Sequence, residues 1–184
     1  TTLYHLIFIV KIKNIMNVSI LGDNLTSVTL AKMLVNQGIK VDIFLDKKIK
    51  KYNKKQTLGI SKTNIEFFNK HILNIDKFLW NINNIEIFSE NLKNQKILDF
   101  QNKNNNLFFI VRNHDLYHCL LSNLKKNKLI ILKKKNKFPE KLNYKYDLIF
   151  NCNHSNSISK KFFFRKIDKD YKSFAHITTI EHKK

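Results

Sequence analysis

One stretch, ILGDNLTSVTLAKMLVNQGIKVDIFLD, constrains the fold of this 184-residue chain more than any other. Apolar residues dominate positions 17–22, as in a strand buried on both faces of a parallel sheet. From 25 to 36 the apolar residues recur at helical spacing, and Gly38 follows where a left-handed residue commonly ends a helix. A second apolar run covers 40–46. The short connections predict a right-handed βαβ unit.

Further elements follow from the same two periodicities. Apolar residues alternate over much of 82–111, which predicts a hairpin in which IEIFSE and KILDF are separated by NLKNQ. Helical spacing returns at two places, and short apolar runs predict strands between them. The predicted elements are a short strand or turn at 57–61, helices at 62–72 and 114–126, and strands at 107–111, 129–132, 147–152 and 173–182.

Composition narrows the class of protein. The chain is 43% hydrophobic and 12% aromatic, which predicts an ordered core that contains Trp80 and the phenylalanines. The formal net charge is +20, but lysines are scattered and far outnumber arginines. This pattern favours a basic surface exposed to solvent over a nucleic-acid interface. Nucleic-acid binding stays an alternative hypothesis, and it requires that the lysines cluster on one face of the protein.

Metal and thiol chemistry find no support in the residue spacing. Cys119 and Cys152 lie far apart in apolar segments, which predicts free buried thiols in a reducing cytoplasm. His114 and His118 share a helix face but lack the glutamate of a HExxH motif. We therefore predict no metal site and no cysteine nucleophile.

The turn after the first strand resembles a degenerate GxGxxG pattern. Its three glycine positions hold Gly22, Asn24 and Ser27. Gly22 keeps the tight turn, Asn24 replaces glycine because asparagine tolerates a left-handed backbone, and Ser27 is small enough for close helix packing. Asp46 ends the second strand, where an acid can bind a ribose. The same residues also suit a ligand-free βαβ unit, so both interpretations stay open.

Four further segments, in order along the chain, resemble one family. They are QTLGISKTNIEFF (56–68), FFIVRNHDLYHCLL (108–121), YDLIFNCNHSNSISKKFF (146–163) and KDYKSFAHITTIEHKK (169–184). Together with the βαβ unit they resemble the FAD-dependent aromatic-ring monooxygenases of the para-hydroxybenzoate hydroxylase type, in the ubiquinone-biosynthesis hydroxylase branch. The resemblance covers the N-terminal part of such a protein, since the later GDAAH segment of the family has no counterpart here.

The resemblance implies an α/β fold: a Rossmann-like FAD-binding domain with part of an antiparallel β substrate domain. It also implies hydroxylation of an aromatic ring, with a ubiquinone precursor as substrate, FAD as cofactor and NAD(P)H as co-substrate. The expected domains are an upstream extension (1–15), a FAD-binding βαβ unit with the following helix (16–81), a β insertion of the substrate domain (82–111), the continued FAD-binding domain (112–165) and the start of a substrate-domain sheet (166–184).

The resemblance also assigns binding residues. No side chain is assigned as a nucleophile or general base. Asn153 and His154 replace the Asp-Gly pair of the family, which removes a charge and adds bulk near a ligand. The expected contacts are Gly22, Asn24, Leu25 and Thr26 with the FAD pyrophosphate, Asp46 with the adenosine ribose, and Gln56, Asn113, Asn153 and His154 elsewhere around the cofactor.

A second hypothesis is a non-catalytic, degenerate nucleotide-binding remnant or partner subunit. The altered residues at 24 and 153–154 favour it. For the enzyme, the expected partner is a small aromatic molecule, with a prenylated ring as one option. The expected location is the cytoplasm, with peripheral membrane attachment or a multi-enzyme assembly as further options.

Overall fold

The computed structural model describes residues 16–46, 56–101, 107–135, 145–162, 167, 169–174 and 176. Within these ranges the strands are β1 (Asn17–Leu21), β2 (Lys40–Asp46), β3 (Thr57–Ile60), β4 (Leu79–Ile82), β5 (Asn84–Ser89), β6 (Gln95–Gln101), β7 (Phe108–Arg112), β8 (Ile130–Lys135) and β9 (Leu148–Asn151). The helices are α1 (Leu25–Asn36), α2 (Lys62–His71), α3 (Asn113–Lys125) and α4 (Ser157–Phe162). The predicted strand at 173–182 lies mostly outside the described residues.

The chain forms two compact units. The first comprises Thr1–Lys51 with Tyr117–Lys184, and the second comprises Tyr52–Leu116. The boundary between them falls within α3. The functional domain boundaries predicted from the sequence stay predictions.

A four-stranded parallel sheet organises the first unit, with strand order β8-β2-β1-β9. The predicted βαβ unit is confirmed, since β1 and β2 pair in parallel with Ile20 opposite Ile43. The chain adds β2 and β8 on one side of β1 and then adds β9 on the other. This reversal creates a topological switch point between β1 and β9, where open α/β sheets bind ligands.

Apolar residues of α1 and the sheet make the core of this unit. The helix buries Val28, Ala31 and Val35, which recur at helical spacing, and it packs on β1 and β2. Gly38 has φ 79°, so it ends the helix as predicted. A second buried cluster joins Leu21, Phe44 and Tyr146, with Ile149 and Ile158 packed against it.

A polar cluster lies within the first unit. The buried Asp42 carboxylate accepts hydrogen bonds from Lys133 Nζ at 2.5 Å and from the Tyr146 hydroxyl at 2.5 Å. Burial opposes ionisation of Asp42, but these two hydrogen bonds outweigh it and hold its pKa below the ordinary value. Burial lowers the pKa of Lys133, but its bonds to Asp42 and Tyr146 outweigh this and raise it. The three groups form a satisfied ion-pair network.

The second unit is antiparallel. One sheet has the order β3-β7-β4, and β5 pairs with β6 as the predicted hairpin. On one face of the hairpin, Ile85 lies opposite Phe100 and Ile87 opposite Leu98. On the other face, Lys96 bridges acidic side chains of the two strands.

Trp80 corrects one expectation about the core. The sequence predicts a buried tryptophan, but 43% of Trp80 is exposed. It lies on β4, and the Arg112 guanidinium stacks 4.7 Å from its ring centroid. Several phenylalanines are also exposed, including Phe67 and Phe88. Small antiparallel sheets leave one face open, so the aromatic content overstates the core.

Candidate nucleotide-binding site

The carboxyl ends of three parallel strands meet at the switch point. The Gly22 N–H donates to the Phe44 carbonyl at 3.1 Å, and the Cys152 N–H donates to the Leu21 carbonyl at 2.9 Å. These bonds extend the β1–β2 and β1–β9 ladders by one residue beyond the strand ends. The turn into α1 therefore lies directly beside the loop that follows β9, and we call the space at this edge the crevice.

Gly22 is required by the packing of the crevice. Its φ is 137°, a backbone angle that residues with a side chain rarely adopt. A Cβ there would lie 2.9 Å from Ser27 Oγ and 3.3 Å from the Cys152 carbonyl carbon. The retained glycine therefore serves the close approach of β1, α1 and β9, whether or not a ligand binds.

Asn24 is the N-cap of α1. Its Oδ1 accepts hydrogen bonds from Ser27 N at 2.9 Å and from Ser27 Oγ at 2.9 Å. Its Nδ2 donates to the Cys152 carbonyl at 2.6 Å, which joins the helix to the end of β9. The expected left-handed backbone is wrong, because φ is −90° and ψ is 174°. Asparagine suits this position because its side chain caps the helix.

Sequence reasoning missed this role, although a signal was present. An asparagine immediately before an apolar helical pattern is an N-cap signature. Ser27 stands three residues later, where the capping oxygen meets a backbone N–H. The bond to Cys152 had no signal, because it joins residues 128 positions apart.

Leu25 and Thr26 supply the open donors of the crevice. Among the described residues, neither of their N–H groups has a hydrogen-bond partner. The first turn of α1 contains no acidic residue, although Asp23 lies immediately before its N-cap. Two N–H groups at a helix N-terminus fit a phosphate group. The two open N–H groups therefore fit a phosphate group at the start of α1, while Asn24 occupies the third N–H group, that of Ser27.

The loop after β9 satisfies its own polar groups. Asn151 Nδ2 donates to Ser159 Oγ at 2.7 Å, and Ser159 Oγ donates to the Asn153 carbonyl at 2.6 Å. Asn153 Oδ1 accepts from Ser155 N at 3.0 Å and Ser155 Oγ at 2.9 Å, so this side chain forms a local turn. His154 is exposed. Cofactor contacts of Asn153 and His154 stay predictions.

Two nearby groups set the charge of the crevice. Burial raises the pKa of the Cys152 thiol, and a hydrogen bond with Ser27 only partly offsets this. The thiol is therefore neutral at pH 7 and does not repel an anion. Burial, and then the Asp23 carboxylate in the turn before α1, raise the pKa of the Tyr117 hydroxyl. Sequence reasoning did not single out Asp23, which opposes an anionic ligand.

Asp46 ends β2 at the same edge of the sheet. It follows Phe44, the residue bonded to Gly22, by two positions, and it pairs in register with Lys135 of β8. The predicted ribose contact of Asp46 stays a prediction.

The second unit brings the remaining two predicted residues together. Asn113 N donates to the Gln56 carbonyl at 3.0 Å, and Asn113 Nδ2 lies 3.5 Å from Gln56 Oε1. Asn113 is 8% exposed, and within the described ranges its Oδ1 is buried without a partner. An unsatisfied buried acceptor costs about 1–3 kcal/mol. Such an atom is a candidate contact for a ligand donor.

Within the described part of the chain, no group of three His, Cys, Asp or Glu side chains is placed to hold a metal ion. None of the helices described there is long and apolar enough to cross a membrane. Cys119 and Cys152 are free thiols, each partly buried.

Solved structures share this fold at low sequence identity. PqsL from P. aeruginosa, in complex with 2-aminobenzoylacetate, matches with a TM-score of 0.61 and 10% identity over 85% of this chain and 48% of PqsL. The p-nitrophenol 4-monooxygenase PnpA from Pseudomonas putida DLL-E4 matches with a TM-score of 0.53 and 11% identity over 66% of this chain and 32% of PnpA. CtdE in complex with FAD and substrate 4 matches with a TM-score of 0.50 and 16% identity over 67% of this chain and 30% of CtdE.

These similarities establish the fold class. The chain has the mixed α/β fold of FAD-binding monooxygenases, with one parallel sheet and additional antiparallel strands, as predicted. It spans about half of PqsL and about a third of the other two proteins. No protein-family model and no curated protein sequence matches this chain.

Proposed function

We propose that this chain is the FAD-binding part of a monooxygenase that hydroxylates an aromatic ring. One observation carries the proposal: the switch point of the parallel sheet coincides with the N-terminus of α1, where Leu25 and Thr26 leave two N–H groups open among the described residues. The fold is shared with monooxygenases of known structure, and one of the similar structures contains FAD.

In this proposal, different residues of the first unit bind different parts of the adenosine diphosphate moiety of FAD. The N–H groups of Leu25 and Thr26 donate to the diphosphate, Gly22 keeps the turn close to it, and Asp46 binds the ribose. The loop at Asn153 and His154 closes the other side. FAD would supply the redox chemistry, and the protein supplies binding, orientation and exclusion of water.

Gln56 and Asn113 form a further proposed contact. Their backbones are joined at 3.0 Å, and the buried Asn113 Oδ1 offers an acceptor. A donor group of the cofactor would satisfy this atom and remove the cost of leaving it unpaired.

The proposed substrate is a small aromatic molecule, with NAD(P)H as reductant. The names of PnpA and of the PqsL complex support an aromatic substrate, since they specify p-nitrophenol and 2-aminobenzoylacetate. The resemblance of four sequence segments to ubiquinone-pathway hydroxylases supports a ubiquinone precursor, handled at the membrane periphery or within a multi-enzyme assembly. This chain spans about half or less of these two proteins, so in the proposal it supplies the cofactor-binding part of the hydroxylase.

The test is a titration of the purified chain with FAD, followed by quenching of flavin fluorescence. We expect saturable binding, competition by ADP and weaker binding by the Asp46→Asn variant. Asp170→Asn serves as the matched control, because Asp170 is exposed and its carboxylate accepts a local bond from Lys172 N. Absence of FAD binding by a chain that unfolds cooperatively would contradict the proposal.

A second candidate function is a non-catalytic partner subunit with the same fold. The Asn24 contacts and the self-paired loop at 151–159 favour it, because they satisfy groups that a cofactor would otherwise bind. This candidate predicts a stable chain that binds neither FAD nor ADP in the same titration.

A further inference from the structure

We infer that the Asn24 side chain is an internal latch on the crevice, which a bound diphosphate must displace. The inference rests on the proposed function and adds a means by which this chain controls access to the site. In the ligand-free crevice, the Asn24 side chain is the group that weakens cofactor binding.

The latch is defined by its contacts. Asn24 Oδ1 accepts from Ser27 N at 2.9 Å, and Asn24 Nδ2 donates to the Cys152 carbonyl at 2.6 Å. One planar amide therefore uses both of its ends, one on the N-terminus of α1 and one on the end of β9. These are the two walls of the crevice at the switch point.

The latch occupies a donor that a diphosphate needs. N–H groups at the start of a helix bind phosphate because they have no partner within the helix. Ser27 N is such a group, and here it is bonded to Asn24 Oδ1. A glycine at position 24 would leave Ser27 N open beside the N–H groups of Leu25 and Thr26. It would also leave room for the ligand against the turn.

Displacement lowers the apparent affinity. A ligand that binds only the open state sees its dissociation constant divided by the fraction of molecules in that state. Opening breaks the helix cap and the bond to Cys152 together. We expect the latch to weaken FAD and ADP binding by about tenfold, which is equivalent to about 1.4 kcal/mol.

The experiment compares Asn24→Gly with the unmodified full chain. Glycine is tolerated at an N-cap, so α1 is retained. We expect the variant to bind FAD and ADP about tenfold more tightly, with little effect on AMP, which lacks the diphosphate. Binding is measured by flavin fluorescence for FAD and by calorimetry for ADP and AMP.

Ser61→Gly is the matched control. Ser61 is the N-cap of α2, and its hydroxyl accepts from Asn64 N at 3.3 Å. It belongs to the second unit, whereas Asn24, Ser27 and Cys152 all belong to the first. The control loses a helix cap in the same way, and we expect its FAD affinity to be unchanged.

The outcomes separate the latch from the proposed function. Equal FAD binding by the unmodified chain and Asn24→Gly overturns the latch and leaves the cofactor assignment standing. Weaker binding by the variant also overturns it, because the Asn24 amide would then hold the diphosphate itself. If neither folded protein binds FAD or ADP, the proposed function fails and the latch fails with it. Tighter binding by Ser61→Gly as well would show a general effect of lost caps and overturn the latch.

Discussion

Asn24 and Asn113 are asparagines at helix starts, and both were expected near the cofactor, but their surroundings differ. Asn24 lies in the first unit with both ends of its amide bonded. Asn113 begins α3 in the second unit, with a long bond to Gln56 and a buried Oδ1 that has no partner within the described residues. The first asparagine is a structural cap, whereas the second retains an unused acceptor.

The difference shows that a residue assigned to a ligand by its position can be committed to the fold. The N-cap contributes to stability without a ligand, so Asn24 binding to FAD would sacrifice existing bonds. Asn113 would lose little on ligand binding, and its unpaired Oδ1 would gain a donor. A substitution at Asn24 should therefore lower stability and strengthen ligand binding, whereas a substitution at Asn113 should leave stability nearly unchanged and weaken ligand binding.

The largest expected effect comes from breaking the turn that holds Asn24. Gly22→Ala places a Cβ 2.9 Å from Ser27 Oγ at φ 137°, so we expect a loss of about 3 kcal/mol in the free energy of unfolding. Gly38→Ala is the control. Gly38 has φ 79°, and a Cβ added there would meet no atom of the described residues within 4 Å, so the cost should be about 1 kcal/mol. Urea denaturation measures both, and equal losses would refute the close packing at Gly22.

A second substitution tests whether damage to the first unit alone changes cofactor binding. Asp42→Asn removes the charge that Lys133 and Tyr146 satisfy, and it should cost about 2 kcal/mol at pH 7. FAD affinity should not change, because the bonding partners of Asp42 are not crevice residues. A large loss of FAD affinity would mean that binding at the crevice depends on the overall stability of the first unit. The effects of Asn24 and Asn113 variants on FAD binding could then not be attributed to their own contacts.

The stability difference between the original chain and Asp42→Asn should depend on pH. The pKa of Asp42 is lower in the folded chain, so its contribution is present above the unfolded value of about 3.9 and is lost as pH falls through the folded value. The pKa of Lys133 is raised, so its contribution is lost only at high pH, above its ordinary range. The difference between the original chain and Asp42→Asn should therefore disappear in strong acid. A constant difference from neutral pH into strong acid would contradict this account.

The direct test of the helix cap is Asn24→Ala. It removes the bonds to Ser27 and Cys152, and we expect a loss of about 1 kcal/mol in the free energy of unfolding. Thermal and urea unfolding give the value. No loss would show that Asn24 is not committed to the fold.

The smallest effect is expected at Asn113. Asn113→Leu keeps the side-chain size, removes the unpaired acceptor and loses the long bond to Gln56. Because these two effects oppose each other, the free energy of unfolding should change by less than about 0.5 kcal/mol. The same substitution should weaken FAD binding if a ligand donor uses Oδ1. A strongly destabilised variant would indicate that Asn113 is satisfied in the fold, and the contrast with Asn24 would disappear.

Regular elements were predictable from the sequence because their signals are local. The βαβ unit and the end of α1 at Gly38 follow from periodicity and from one glycine. The burial of Trp80 was predicted wrongly, because exposure depends on which face of β4 is covered. The backbone of Asn24 was also predicted wrongly, since the degenerate glycine pattern concealed an N-cap.

By itself, the sequence determined most of the elements, though not β4 or α4, together with their order and the need for glycine in the first turn. Helical and strand periodicities and tight turns depend on neighbouring residues. Only the tertiary structure decided what the crevice contains. The Asn24 amide meets the Cys152 carbonyl because β9 inserts beside β1 after a long excursion of the chain. Pairing between residues this far apart depends on the packing of the whole sheet, and no local pattern encodes it.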